Sequence, residues 1–328
     1  MAVSMLLAQP DPVRAFWEAC ESGTDIGITT SGTLSQSRTV VRSTYSWLTS
    51  FAAYGELTAI DSDSKVWIPG PHSSSMNLFA AIHADYVRAK VVEKVSDATH
   101  AVLTPSQLRR FLDSSIEGKQ CHLIVAGDGL PGSLRDRALD KGHEVSHYFG
   151  ASELSFIAWG TAEDDLVAFP GVEIDIRHDE IWCRSTYLAR GYGGNAAGPL
   201  EFDVSGFATV GDRGCFDNEF LRVHGRGDLA VTTAGATVLV ADVEQVLRGQ
   251  ARGEVVVLGM PHDHWGAVIV AVVTDASDAD RLAAVARARL SAEQRPRRWM
   301  HVPDLPMTPA GKVNRQALAE IVSGGKDD

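Results

Sequence analysis

The sequence predicts an α/β protein. It consists of a large N-terminal domain on a mostly parallel sheet, a small antiparallel subdomain, and a small α+β domain at the C-terminus. Three observations carry this reading. Short apolar runs alternate with helical runs between Lys65 and Phe149. From Gly171 the pattern changes to short strands with two-residue alternation. After the glycine-rich break Gly225-Arg226-Gly227-Asp228, about 100 residues show strands and helices of their own, enough for a separate small domain. The expected domains are therefore 1–226 and 227–328.

The elements follow in order. Asp11 to Cys20 reads as a helix with Pro12 in its first turn and Val13, Phe16 and Trp17 on one face. Thr39-Val40-Val41 is a strand, and Thr44 to Tyr54 a helix burying Trp47, Leu48 and Phe51. The strand Lys65 to Ile68 stops at Pro69-Gly70-Pro71 and leads into a helix from Met76 to Tyr86. Ala101 to Thr104 precedes a helix opened by Pro105, and Cys121 to Ala126 precedes Gly127-Asp128-Gly129 and a helix from about Pro131. Glu144 to Phe149 is the next strand, and Val172 to Arg177 with Glu180 to Arg184 form a hairpin. Asn218 to Val223 is a strand that Gly225 breaks, and beyond it Asp242 is the expected N-cap of a helix. Strands Glu254 to Leu258 and Ala267 to Thr274 and a helix Asp280 to Leu290 complete the pattern.

Of the 328 residues, 45% are hydrophobic and 22% charged, an ordinary globular composition with enough apolar material for a sizeable core. A net charge of −12 argues against broad affinity for nucleic acid or anionic membrane, and leaves room for a local basic pocket. Cys20, Cys121, Cys183 and Cys215 include no CxxC pair, which suggests neither a zinc site nor a disulfide framework. No basic leader and no membrane-length apolar stretch is present, so a cytoplasmic protein without membrane insertion is expected.

Candidate functional residues lie where strands end. The run Ile28 to Arg38, with Thr30-Ser31-Gly32-Thr33 at its centre, combines hydroxyls, a glycine and a cation. Such a run either cradles phosphate or is a plain loop. His72 either faces a ligand or caps a helix. In Gly150-Ala151-Ser152-Glu153, the glutamate could ligate Mg²⁺ and the serine could reach a phosphate or substrate oxygen; a helix start reads the same residues equally well. Asp212 is a turn residue or a ribose acceptor. Lys312, on the turn Thr308 to Arg315, is a solvated charge or a residue reaching into a cleft, and Arg295, Arg297 and Arg298 form a basic cluster.

The order and spacing of these stretches resemble the AMP-forming adenylating superfamily of acyl-CoA synthetases, adenylation domains and luciferases. Thr30-Ser31-Gly32-Thr33 is similar to the start of its phosphate loop and Phe149-Gly150-Ala151-Ser152-Glu153 to its aromatic-Gly-x-Thr-Glu motif. Gly211-Asp212 resembles its Thr-Gly-Asp, Gly225 to Asp228 its hinge, and Thr308 to Arg315 its terminal lysine motif. Pro261-His262-Asp263-His264-Trp265-Gly266 is similar to a Pro-Asp-x-x-Trp-Gly stretch of the CoA ligases. Leu103 to Leu108 and Leu188 to Tyr192 further resemble the o-succinylbenzoate-CoA ligases of menaquinone synthesis.

The resemblance implies ATP, Mg²⁺ and CoA, or a phosphopantetheine thiol, as cofactors and cosubstrates, and a small carboxylic acid as substrate. It implies that Thr30, Ser31, Gly32, Thr33 and Arg38 hold phosphate, and that Gly127, Asp128, Gly129, Tyr148, Phe149 and Gly150 line the adenine and acyl region. Ser152 would contact the α-phosphate or the acyl carboxylate, and Glu153 would bind Mg²⁺. Asp212 and Arg226 would hold the ribose, Asp228 would be the hinge of a mobile C-terminal domain, and His72 would guard the acyl pocket. Gly235 would lie near the thiol tunnel, and Lys312 would be the catalytic lysine.

The chain departs from that pattern in three places. Leu34 to Arg38 lacks the second glycine and proline of the phosphate loop and has arginine for lysine, and Val210 stands where threonine is usual. Fewer than thirty residues precede Thr30-Ser31-Gly32-Thr33, so a truncated N-terminal portion is expected. Three readings result: an acyl-CoA ligase acting on an o-succinylbenzoate, aryl or fatty acid; an adenylating enzyme that loads a carrier protein; and a nucleotide-binding relative without turnover. A homodimer is left open.

Overall fold

The computed structural model describes residues 3–30, 38–70, 74–114, 120–194, 196–226, 230–233, 236–262, 265–308 and 311–324. Its packing divides into two units. One comprises Met1–Val210, Cys215–Arg222 and Pro309–Lys312; the other comprises Gly211–Gly214, Val223–Thr308 and Val313–Asp328. Among the described residues no helix is long and apolar enough to cross a membrane.

The first unit opens with β1 (Val3–Met5), α1 (Pro12–Ser22), β2 (Asp25–Thr30) and β3 (Arg38–Arg42). Asp11 caps α1 by accepting from the Arg14 N–H at 3.0 Å, and Gly23 ends it at φ 64°. Residues 44–54, expected as one helix, form α2 (Tyr45–Leu48) and the start of α3 (Phe51–Thr58). The interruption has a local cause: the Thr49 and Ser50 hydroxyls donate to the carbonyls of Tyr45 and Trp47 at 3.0 and 2.7 Å.

The alternating stretch follows as β4 (Lys65–Trp67), α4 (Ser75–Tyr86), β5 (Lys90–Val92), β6 (His100–Leu103), α5 (Pro105–Asp113), β7 (His122–Ala126), α6 (Gly132–Asp140), β8 (Glu144–Ala151), β9 (Ser155–Gly160) and β10 (Val167–Ala168). Strands β4 to β10 make a seven-stranded sheet of order β10-β9-β8-β7-β6-β4-β5. The β8-β7-β6-β4-β5 pairings are parallel; β9 and β10 add antiparallel strands at one edge.

Strand alternation sorts the two faces. Ala101, Leu103, Leu123, Val125 and Val145 pack against Leu108, Phe111 and Leu112 of α5 and Leu134 and Ala138 of α6. On the opposite face, imidazole nitrogens of both His100 and His122 contact the Thr58 carbonyl at the end of α3, and His122 also contacts the Ser146 hydroxyl at 2.8 Å. Phe51, Tyr54, Phe79 and His83 make an aromatic cluster from α3 and α4, which Phe156 and Trp159 of β9 join.

Next come β11 (Glu173–Arg177), β12 (Glu180–Arg184), β13 (Gly191–Tyr192), β14 (Glu201–Phe202), β15 (Ala208–Thr209), β16 (Asp212–Asp217) and β17 (Phe220–Arg226). The expected hairpin is present as β11 against β12, turning at His178 and Asp179, both at positive φ. Strand β13 pairs instead with β3 and completes a sheet of order β1-β2-β3-β13. Strand β17 runs past the expected end at Val223 to Arg226, with Gly225 at φ 81°; Gly227 and Asp228 of the expected break lie outside the described residues.

The second unit contains β18 (Ala230–Thr233), β19 (Ala236–Leu239), α7 (Val240–Arg248), β20 (Val255–His262), β21 (Gly266–Val273), α8 (Asp278–Arg289), β22 (Arg298–His301) and α9 (Arg315–Gly324). Asp242 is not the N-cap of α7: Leu239 occupies that place and Asp242 lies in the first turn. One face of the β20-β21-β22 sheet packs on α7 and α8 through Val243, Leu247 and Leu282, the other on α9 through Leu318 and Val322. Glu244 accepts from both Arg248 and Arg315 at 2.7 Å and binds the Val257 N–H, giving this buried carboxylate its partners.

Candidate active site

The carboxyl ends of parallel strands collect ligands because helix N-termini and loops converge there. Here Ser74 accepts from the Asn77 N–H at 3.1 Å and caps α4. Thr104 and Gln107 form a reciprocal capping box at the start of α5. The Gln107 side-chain amide donates to the Pro69 carbonyl at 3.2 Å, joining the loop after β4 to the end of β6. Gly127, at φ 94°, turns the chain after β7.

The turn between β8 and β9 supplies the next wall. The sequence left Ser152-Glu153 open between a functional turn and a helix start; the structure has a hairpin. The Leu154 N–H donates to the Ala151 carbonyl at 3.2 Å, and Ser155 follows at φ 64°. Register shifts between Phe149 and Gly150. A Cβ on Gly150 would stand 2.1 Å from the Ser155 carbonyl oxygen, so only glycine fits.

These parts enclose a cavity of about 150 Å³. Trp47, Phe79, Tyr148 and Phe156 make its aromatic wall; Ser74, Ser75, Thr104, Ser152, Arg42 and Lys312 make its polar one. The Ser75 and Ser152 hydroxyls share a hydrogen bond of 2.8 Å. Arg42 is the residue that sequence reading missed. It is 1% exposed and donates to the Ser46 hydroxyl at 3.0 Å, the Ser152 carbonyl at 3.3 Å and the Tyr187 carbonyl. Burial pushes its pKa down to about 9, against the opposing charge of Glu153. Its one sequence signal was a cation closing an apolar strand that continues into a hydrophobic helix. Burial also drives the Tyr148 phenol well above its usual range, leaving a neutral hydroxyl.

Glu153 is 7% exposed and is not part of the cavity wall; its carboxylate accepts from the Tyr192 hydroxyl at 2.9 Å. Asp212 is buried at the start of β16, after Gly211 at φ 78°. Of the predicted adenine and acyl residues, Gly127, Tyr148 and Gly150 line the cavity, whereas Asp128, Gly129 and Phe149 do not.

Residues 242–312 match the family described as the AMP-binding enzyme C-terminal domain. An acyl-CoA ligase of Bacillus subtilis, YhfT, itself uncharacterised, is 27% identical over 88% of this chain and 67% of its own. The 2-succinylbenzoate-CoA ligase of Salmonella typhimurium is 30% identical over 70% of this chain and 52% of its own. This chain is similar to the AMP-forming acyl-CoA ligases.

An E. coli MenE variant solved with bound OSB-AMS superposes with a TM-score of 0.77 at 25% identity, covering 90% of this chain and 68% of that one. The chain thus spans between half and about two thirds of these acyl-CoA ligase relatives. Several positions that the family resemblance singles out, namely Ser31, Gly32, Thr33, His72, Asp228 and Gly235, lie outside the described residues. For Thr30 and Arg226 only the backbone, in β2 and β17, is described. Arg38 opens β3 opposite Thr30.

Proposed function

We propose that the chain is an ATP-dependent carboxylate-CoA ligase. The acid's carboxylate attacks the α-phosphorus of ATP and releases pyrophosphate; the thiol of CoA then attacks the acyl-adenylate, giving the thioester and AMP. The observation that carries this reading is the cavity in which Ser152, Arg42 and Lys312 face an aromatic wall of Trp47, Phe79, Tyr148 and Phe156. Two anions must approach each other for adenylation, and fixed positive charge in a partly dehydrated site offsets their repulsion. The aromatic wall favours an aryl acid, of which 2-succinylbenzoate is one candidate.

Lys312 is proposed to stabilise charge on the phosphoryl oxygens and Ser152 to hydrogen-bond the α-phosphate or the acid. Asp212, with Arg226, is proposed to hold the ribose. Glu153 would hold Mg²⁺, which when bound neutralises polyphosphate charge. The donor set fits: Glu153 offers one carboxylate, held at Oε1 by the Tyr192 hydroxyl, and Mg²⁺ takes one or two carboxylates together with substrate phosphates.

Acid-dependent ATP–pyrophosphate exchange, measured across aromatic and fatty acids with and without CoA, tests the proposal. Exchange with at least one acid, and thioester only when CoA is present, is the expected result. A folded protein that binds AMP and exchanges with no acid would overturn it.

A further inference from the structure

Three contacts tie the dipeptide Ser152-Glu153 to the segment from Tyr187 to Tyr192. The Ala189 N–H donates to the Glu153 carbonyl at 2.7 Å, and the Tyr192 hydroxyl donates to Glu153 Oε1 at 2.9 Å. The third runs through Arg42, which donates to the carbonyls of both Ser152 and Tyr187. Backbone and side chain of the glutamate are therefore held by the same short segment.

That segment is itself anchored. Gly191 and Tyr192 pair with Val41 and Val40 of β3, the Arg190 N–H donates to the Val41 carbonyl at 2.8 Å, and the Arg190 guanidinium pairs with buried Asp25 at 3.1 Å. The Tyr192 ring packs where only glycine leaves room: a Cβ on Gly198 would lie 2.1 Å from Tyr192 Cε2.

We infer that Tyr192 is a positioning residue for Glu153, occupying Oε1 and leaving Oε2 for a divalent cation brought in with the nucleotide. This rests on the ligase reading, which gives Glu153 its metal. A donor fixed behind a ligating carboxylate selects the orientation of its free oxygen, and loss of such a partner commonly weakens metal binding tenfold or more.

Calorimetry with the non-cleavable analogue α,β-methylene-ATP, with and without MgCl₂, tests the inference on wild type, Glu153→Gln and Tyr192→Phe. The quantity read is the gain in affinity that Mg²⁺ confers. Wild type is expected to show a clear gain, Glu153→Gln to lose it, and Tyr192→Phe to lower it by about tenfold, with unchanged metal-free affinity and melting temperature. A full gain in Tyr192→Phe beside a lost gain in Glu153→Gln would overturn the inference while leaving the ligase reading intact. Equal weakening with and without metal, together with a lower melting temperature, would mark a purely structural tyrosine and also overturn it. No gain in wild type would remove the metal role of Glu153, and the inference with it, whereas pyrophosphate exchange would still decide the ligase reading.

Discussion

Ser75 and Ser152, 77 positions apart, share a hydrogen bond of 2.8 Å between their hydroxyls. The first residue of α4 thereby orients the serine of the β8–β9 turn. Ser152→Ala is expected to lower the exchange rate by about tenfold, and Ser75→Ala by less. The double variant should lose little more than Ser152→Ala, because both remove one interaction. Steady-state exchange kinetics on all three variants check this; additive losses would mean that the two hydroxyls act separately.

Arg42 carries a buried charge whose removal leaves two carbonyls and a hydroxyl without their donor. Arg42→Met should destabilise the protein by roughly 3 kcal/mol, the cost typical of breaking a buried polar network. Arg42→Lys should recover part of the loss. Chemical denaturation with a two-state fit is the measurement, and a midpoint unchanged in Arg42→Met would contradict the structural part of its role.

Lys312 lines the cavity beside Gly127. Lys312→Ala is expected to slow adenylation by about a hundredfold or more, the scale of losing a charge that acts on the transition state. Thioester formation from a supplied acyl-adenylate should change far less. Equal losses in the two half-reactions would show that the lysine serves both.

His83 and His147 are buried, and burial depresses both imidazoles to about 4 from a usual 6.5. A depressed base binds fewer protons in the folded state, so its contribution to stability is complete above pH 6.5 and is lost as pH falls toward 4. Melting temperature should therefore fall across that window. His83→Gln, which keeps a donor for the Phe51 carbonyl, should flatten the slope there; an unaltered slope would mean that other groups set the acid limit.

The parallel sheet was legible in the sequence because each strand-to-helix step from Lys65 to Phe149 is local and punctuated by Pro, Gly or a capping hydroxyl. The β8–β9 turn was half legible. Gly150 announced a tight bend, but whether a helix or a returning strand followed depended on Phe156 and Trp159 finding Tyr54 and Phe79, contacts about a hundred or fewer residues away that no local pattern reports. Arg42 and Tyr192 were illegible for the same reason. One follows a strand-like run and the other closes a stretch noted for its family resemblance, and each acquires its role only through partners brought near by β3 and β13. In the second unit the error at Asp242 was of a different kind: Val240 enters the core and opens α7 two residues before Asp242, directly after Leu239, which is still extended at the end of β19.

The register shift between Phe149 and Gly150 divides the β8–β9 pair into a regular ladder and a turn with different steric demands. On the ladder side of the shift, Tyr148 pairs with Trp159 and lines the cavity; beyond it, Gly150, opposite Phe156, and Ser152 and Glu153 are fixed by steric exclusion and by partners in distant segments. A different side chain at Tyr148 would reshape the cavity wall and leave the turn as it is, whereas any side chain at Gly150 would meet the Ser155 carbonyl. Latitude and constraint thus stand two residues apart on one strand, the first at Tyr148 and the second at Gly150.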